Sequence, residues 1–78
     1  MENENIKYYQ RLKDLREDRD LKQVNVAAML GLKNQQSYQR YESGKIELPM
    51  HHFITLAKFY DVSIDYIAGL TNNKGKYW

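Results

Sequence analysis

Apolar residues recur every three or four positions along this chain, and no stretch alternates strictly between apolar and polar residues. The first pattern places apolar side chains on one face of a helix, whereas the second would mark a half-buried strand. With 78 residues the chain can form one domain with a small core. A helical bundle is an efficient way to bury such a core. The sequence therefore predicts a compact all-α domain of five helices.

Residues that commonly begin or end helices set the predicted boundaries. The five helices are expected at about 6–18, 23–30, 35–43, from 49 onward, and 64–68. Gly31, Gly44 and Gly69 follow the second, third and fifth helices, where glycine readily adopts the left-handed conformation. Asn34 and Ser63 are predicted N-caps, and Pro49 suits the first position of the fourth helix. Short connections therefore separate all five helices.

Inner faces can be assigned from the same spacing. The second helix is expected to bury Val26, Ala27 and Leu30, with Val24 alongside. Arg16 falls on the otherwise apolar face of the first helix. An unpaired buried charge would cost several kcal/mol, so we expect Arg16 to have an acidic partner.

The charge distribution is more informative than the total charge. Twelve Lys and Arg residues against ten Asp and Glu residues give a formal charge of only +2, a weak signal for nucleic-acid binding. Between Asp20 and Tyr41, however, Asp20 is the only acidic residue, and there are three basic residues: Lys22, Lys33 and Arg40. The middle of the chain is therefore its basic part.

Several function classes receive no support. There is no cysteine, so disulfides and thiolate metal sites are excluded, and the four scattered glycines cannot build a phosphate-binding loop. No apolar run suits a membrane span or a signal peptide, so a soluble cytoplasmic protein is expected. His51 and His52 diverge by roughly 100° on a helix and have no third ligand nearby, so no metal site is expected. Ser37, His52 and Asp61 are too commonplace a set to indicate catalysis, and we expect neither an enzyme nor a cofactor.

The third helix has two distinct sides. In projection, Gln35, Gln36, Gln39 and Arg40 fall within an arc of about 140°, while Tyr38 and its neighbour Tyr41 lie on the core side. Glutamine can donate to and accept from adenine in the major groove, and arginine can bond guanine O6 and N7. The absence of carboxylates on this side also suits a phosphate-rich partner. A polar solvated face with no partner is the alternative.

The context of this helix favours DNA. Two short helices meet through a tight turn at Gly31, and the second of them carries the amide-rich side. In a helix-turn-helix the second helix enters the major groove and the first crosses the backbone. Gln23 would open the first helix of the pair, with its side chain and free N–H groups directed toward phosphate.

The segment from Leu12 to Leu70 resembles the Cro/phage-repressor-type (XRE-like) helix-turn-helix family. The resemblance is carried by RLKDLRED, LKQVNVAAMLG, RYESGK and LAKFYDVSIDYIAGLT, in that order. It implies a five-helix fold that binds double-stranded, near-palindromic operator DNA, usually as a homodimer, and regulates transcription of nearby genes. We expect a repressor. Residues 1–70 would form this domain, and residues 71–78 a short polar tail ending in Tyr77 and Trp78.

The resemblance also implies roles for individual residues. Gln35 and Gln36 match base-reading positions, and Gln39 and Arg40 are further base-contact candidates. Arg16 and Glu42 match a pair that forms a buried salt bridge. Gln23 would brace Gln35 and touch a phosphate. The candidate contacts to the DNA backbone are Lys22, Gln23, Lys33, Asn34, Ser37, Ser43 and Lys45.

Two departures from the family pattern and two open alternatives remain. Lys22 stands where the family usually has a Ser, Thr or Asn cap, and the span from Gly31 to Arg40 is one residue longer than is common. We place the extra residue at Leu32 or Lys33. The aromatic end of the tail either lacks a partner or docks onto a dimer mate or the helical body. The same fold also serves as a protein-interaction module, such as an antitoxin.

Overall fold

Five α-helices joined by short turns make up the computed structural model, which describes residues 7–76. In chain order they are α1 (Tyr8–Asp18), α2 (Gln23–Met29), α3 (Gln35–Glu42), α4 (Met50–Tyr60) and α5 (Ile64–Ala68). No strand occurs within these residues, so the predicted all-α class is confirmed. None of the five helices has the length and apolar composition needed to cross a membrane.

The helix boundaries differ from the predicted ones by a residue or two. α1 begins at Tyr8, and the predicted start at position 6 lies outside the described residues. α2 and α3 end one residue earlier than expected, because Leu30 and Ser43 serve as their C-caps. Pro49 is the N-cap of α4 instead of its first residue, since its ψ of 151° is still extended.

All five helices within residues 7–76 end in the same way. In each, a residue with positive φ follows the last turn, and two successive N–H groups then bond back to carbonyls of that turn. This Schellman arrangement satisfies carbonyls that would otherwise lack a partner. The positive-φ residues are Asp20, Gly31, Gly44, Asp61 and Gly69. The glycines were predicted to end helices, whereas the two aspartates were not.

All five helices contribute buried side chains to the core. Its fully buried members include Leu12, Val26, Tyr38, Leu56 and Ile67. The prediction that Tyr38 faces the core is confirmed, because its side chain is wholly buried. Tyr41, on the same side of the helix, is only half-buried.

Val24 was predicted to lie alongside the inner face of α2, and this prediction is wrong. Its side chain is 49% exposed, whereas Val26 and Ala27 are buried. α2 has only seven residues, so it presents a narrow face to the core. Val24 occupies the second position of the helix and falls outside that face.

Arg11 ties the segment after α5 to α1. Although it is charged, its side chain is only 5% exposed. It donates to the carbonyls of Tyr66 and Thr71 at 2.9 and 3.1 Å and to Asn72 Oδ1 at 2.6 Å. Its guanidinium also lies 4.0 Å from the centre of the Tyr66 ring. The first residues of the predicted tail are therefore held against the helical body, while the aromatic end, Tyr77 and Trp78, lies outside the described residues.

Candidate nucleic-acid interface

The turn between α2 and α3 sets the direction of α3. Gly31 has a φ of 75°, and the N–H of Leu32 bonds the carbonyl of Ala27 at 2.9 Å. Leu32 also packs against the core. Asn34 is the N-cap of α3, as predicted, and its Oδ1 accepts from the Ser37 N–H at 3.0 Å. Lys33 is exposed and takes part in neither the helix end nor the cap.

The start of α2 lacks a side-chain cap, as the lysine at position 22 implied. Lys22 has extended backbone, and its side chain makes no capping hydrogen bond. Asn25 compensates in part, because its Oδ1 accepts from the Lys22 N–H at 2.8 Å. This is the return half of a capping box. The Lys22 ammonium group is therefore not needed to cap the start of α2, and Lys22 is exposed.

The outer face of α3, defined as Gln35, Gln36, Gln39 and Arg40, is exposed along its whole length. The side chains of Gln36, Gln39 and Arg40 make no hydrogen bond within residues 7–76. Their donors and acceptors are therefore available to a ligand. No carboxylate interrupts this surface, because the one acid of the helix, Glu42, is turned inward and buried.

Arg16 and Glu42 form a nearly buried ion pair behind that face. Arg16 Nε donates to Glu42 Oε2 at 2.7 Å, and Arg16 Nη2 donates to Oε1 at 3.2 Å. The two side chains are 13% and 4% exposed. Arg16 also donates from Nη1 to the carbonyl of Leu21 at 2.9 Å. The pair links α1 to the end of α3 and supplies the acidic partner that the position of Arg16 required.

Two glutamines continue this network to the surface. Gln23 Nε2 donates to Glu42 Oε1 at 3.1 Å, and Gln35 Nε2 donates to Gln23 Oε1 at 3.1 Å. The chain of contacts therefore runs from Arg16 through Glu42 and Gln23 to the first residue of α3. Gln23 is in the position to brace Gln35 that the resemblance implied.

The network keeps Glu42 ionised. Burial by itself would raise the pKa of this carboxyl, but hydrogen bonds from Arg16 and Gln23 outweigh burial and lower the pKa below its usual value. The same bond to Glu42 raises the pKa of Arg16. Glu42 therefore carries its charge at neutral pH, and the ion pair loses its contribution to stability only as the pH falls below the ordinary range of a glutamate.

Two buried tyrosine hydroxyls lie beside the ion pair. Those of Tyr38 and Tyr60 have no hydrogen-bond partner within the described residues. Burial, together with the charge of Glu42, raises the pKa of Tyr38, and it raises the pKa of Tyr60 to about 12. Both phenols are therefore neutral at physiological pH and serve as packing groups.

The candidate contacts to the DNA backbone fall into two groups. Three lysines are exposed and free to reach a ligand: Lys22, Lys33 and Lys45. The remaining polar side chains already have partners within the domain. Ser37 Oγ donates to Asn34 Oδ1 at 3.1 Å, and Ser43 Oγ donates to the Arg40 carbonyl at 3.2 Å.

Lys13 was not singled out from the sequence, yet it borders the same site. It lines an open cleft together with Arg16, Gln23, Gln39, Glu42 and Ser43. In the sequence it is the single lysine of α1 and stands beside Asp14, so nothing marks it as a ligand contact. Only the packing of α1 against α3 brings it next to the outer face of α3.

The two histidines lie side by side on α4. Their ring centres are 4.1 Å apart, closer than their divergence around the helix implied. Burial lowers the pKa of His52, and the neighbouring His51 lowers it further. Within residues 7–76, no group of three or more potential ligands is positioned to hold a metal ion. The hydroxyl of Ser37 bonds to Asn34, so no hydrogen bond links it to His52 or Asp61.

Comparisons with known proteins agree with this geometry. A family described as Helix-turn-helix matches residues 12–67. A relative from Bacillus subtilis (strain 168), named as the uncharacterized HTH-type transcriptional regulator YobD, is 39% identical over 66 residues. The match covers 85% of this chain but 58% of the relative, so the chain spans little more than half the length of that protein. No solved structure matches the chain.

Proposed function

This chain belongs to the helix-turn-helix family, and we propose that it is a sequence-specific DNA-binding regulator of transcription, acting as a repressor. The observation that carries this proposal is the outer face of α3. It is exposed and free of carboxylates, and three of its four side chains have no partner within the described residues. The name of the Bacillus subtilis relative, an HTH-type transcriptional regulator, supports the same function.

In this proposal α3 enters the major groove, whose width of about 12 Å accepts a helix. Gln35, Gln36 and Gln39 contact base edges through their amides, and Arg40 contacts guanine or a nearby phosphate. Lysines at the ends of α2 and α3 neutralise the flanking phosphates, which positions the helix without specifying sequence. Repression follows from occupancy of the operator and requires no chemical step, enzyme activity or cofactor.

We further propose a homodimer on DNA and action in the cytoplasm. Each α3 would read one half-site of a near-palindromic operator, with half-site centres about one helical turn apart. Residues 1–70 would form the DNA-binding domain. The spacing of the two half-sites is a direct consequence of the dimer and can be measured.

The distribution of apolar groups favours DNA over a protein partner for the outer face of α3. The large exposed hydrophobic side chains in the described part of the chain lie on other elements. They are Val24, Ile46, Met50, Ile54, Phe59 and Leu70. A protein-interaction module acting through α3 would be expected to show an apolar patch there.

Selection of bound sequences from a random DNA pool tests the proposal. The intact chain should select a two-fold symmetric site. Gln36→Ala and Arg40→Ala should each relax the preference at one position per half-site and weaken binding by roughly 1–3 kcal/mol. The matched controls Gln10→Ala and Arg19→Ala remove the same types of side chain from α1 and from its C-cap and should leave the selected sequence unchanged. If Gln36→Ala and Arg40→Ala also leave it unchanged, the outer face of α3 does not read bases.

A further inference from the structure

We propose that the carboxylate of Glu42 determines which base Gln35 recognises, by fixing the direction of two amide side chains in series. The inference rests on the proposed function, because it assumes that Gln35 contacts a base. It assigns Glu42 a specificity-determining role although Glu42 itself is buried and does not touch DNA. The contacts that carry it are those from Glu42 to Gln23 and from Gln23 to Gln35.

The direction of the first amide follows from the chemistry of the carboxylate. An ionised carboxylate only accepts hydrogen bonds, whereas a glutamine amide has one end that accepts and one that donates. The atom of Gln23 that lies 3.1 Å from Glu42 Oε1 must therefore be Nε2. Two bonds from Arg16 hold Glu42 in place from the other side, so the carboxylate does not rotate away.

The direction of the second amide follows from the first. With its Nε2 turned toward Glu42, Gln23 presents Oε1 to Gln35, and an oxygen requires a donor opposite it. The atom of Gln35 at 3.1 Å is accordingly Nε2. A charge buried at the end of α3 thus orients a side chain at the exposed beginning of the same helix.

The consequence concerns the groups that Gln35 has left for DNA. One N–H is bonded to Gln23, so Gln35 presents its Oε1 and its second N–H outward. This acceptor and donor complement the N6 and N7 atoms of adenine. In the reverse orientation the oxygen of Gln35 would be turned toward Gln23 and both N–H groups outward, an arrangement that suits the N7 and O6 acceptors of guanine. The network therefore selects adenine over guanine at the position that Gln35 reads.

Two variants alter the network in different ways. Gln23→Met removes the amide but leaves the Arg16–Glu42 pair intact, so the orientation of Gln35 becomes free. In Glu42→Gln we expect the amide oxygen to keep the shorter bond, that from Arg16 Nε at 2.7 Å, at the expense of the 3.2 Å bond from Nη2, so that the NH₂ group faces Gln23. This reverses both amides in turn. The first variant should relax the preference for adenine, and the second should shift it toward guanine.

The experiment is selection from a random DNA pool with the full chain and with Gln35→Ala, Gln23→Met and Glu42→Gln, each checked for folding by circular dichroism. Gln35→Ala identifies the position that Gln35 reads. At that position the adenine-to-guanine preference should fall about tenfold in Gln23→Met, the size of one good base contact. Gln39→Ala serves as the control, because it should change a different position.

The outcomes separate the inference from the function on which it rests. If Gln35→Ala relaxes one position but Gln23→Met leaves adenine preferred there, the orientation network is wrong and the base-reading role of Gln35 stands. If Gln35→Ala changes no position while Gln36→Ala does, the chain reads DNA without Gln35, and the inference is overturned. If no variant of α3 alters selection, the proposed function itself fails. Should Glu42→Gln not fold, Gln23→Met alone decides between the first two cases.

Discussion

Arg11 and Arg19 show how burial changes what an arginine contributes to stability. Arg11 lies on α1 and Arg19 is its C-cap, and both donate to backbone carbonyls near the end of another helix. Arg11 is 5% exposed and bonds two carbonyls and one side-chain oxygen, whereas Arg19 is exposed and bonds the carbonyls of Phe59 and Tyr60 at 3.4 and 3.2 Å. We expect Arg11→Met to lower the free energy of unfolding by roughly 1–3 kcal/mol, because buried acceptors would lose their partners.

Chemical denaturation of both variants measures this difference. Arg19→Met is the matched control and should cost less than about 1 kcal/mol, since water can replace an exposed donor. Arg11→Lys should recover little of the loss, because an ammonium group cannot bond three separated acceptors in the fixed geometry of a guanidinium. Equal losses in Arg11→Met and Arg19→Met would contradict the role given to burial.

Sequence reasoning succeeded for residues whose partners are local or whose position breaks a pattern, and failed for those that bond distant backbone groups. Asn34 was predictable as a cap, because the N–H that it bonds is three residues away. Arg16 could be recognised as needing an acid because it interrupts an apolar face. Arg11 gave no such signal, since its acceptors are 55 to 61 residues away and two of them are backbone carbonyls. Backbone acceptors carry no residue-type signature.

At the level of the helices, the ends of α2 and α3 offer a controlled comparison. Gly31 and Gly44 have nearly the same φ, 75° and 80°. A Cβ added at Gly31 would meet nothing within 4 Å, whereas one at Gly44 would lie 2.7 Å from Cε2 of Tyr9. Gly31→Ala should therefore cost only the left-handed backbone strain, about 1–2 kcal/mol. Gly44→Ala should cost at least about 1 kcal/mol more, from crowding in a packed region.

Thermal or urea denaturation of the two variants gives the difference directly. In a Tyr9→Leu background the additional loss at Gly44 should largely disappear, because the ring that blocks the new methyl group is gone. If Gly44→Ala still costs more stability than Gly31→Ala in that background, the additional loss comes from the backbone at the end of α3 and not from contact with Tyr9. Tyr9→Leu by itself supplies the reference for this comparison.

Helix ends also mark the limit of what residue type can predict. Glycines at positions 31, 44 and 69 were expected to end helices, because glycine adopts positive φ without strain. Asp20 and Asp61 adopt a φ of 56° and end α1 and α4 in the same way. Aspartate does so much less often than glycine, so its presence gives only a weak signal. The sequence predicted an end of the first helix near position 18 without this mechanism, and it predicted no end for the fourth helix.

For the molecule as a whole, the small net charge conceals an uneven surface. The chain carries a formal charge of +2, but the elements around α3 expose Lys22, Lys33, Arg40 and Lys45. Their acidic neighbour Glu42 is buried and paired with Arg16. Several acids of α1 and the turn after it are exposed elsewhere in sequence, among them Asp14, Glu17 and Asp20. The sequence alone indicated a basic middle segment, and burial of Glu42 increases that asymmetry.

This asymmetry leads to a prediction about salt. Each lysine that contacts a phosphate releases about one counterion, so the logarithm of the binding constant falls with the logarithm of salt concentration in proportion to the number of such contacts. Lys33→Ala and Lys45→Ala should each weaken binding to every sequence alike and reduce that slope by about one. Fluorescence anisotropy at several salt concentrations measures the slope for a selected operator and for unrelated DNA.

Lys58→Ala is the matched control for both variants, because it removes an exposed lysine from α4, outside the α2–α3 surface. Its slope should equal that of the unaltered chain. A backbone contact leaves sequence preference intact, whereas a base contact such as Arg40 should change the preference more than the slope. If Lys33→Ala and Lys45→Ala leave the slope unchanged while Lys58→Ala reduces it, DNA approaches a different surface of the domain, and α3 would not be the helix in the groove.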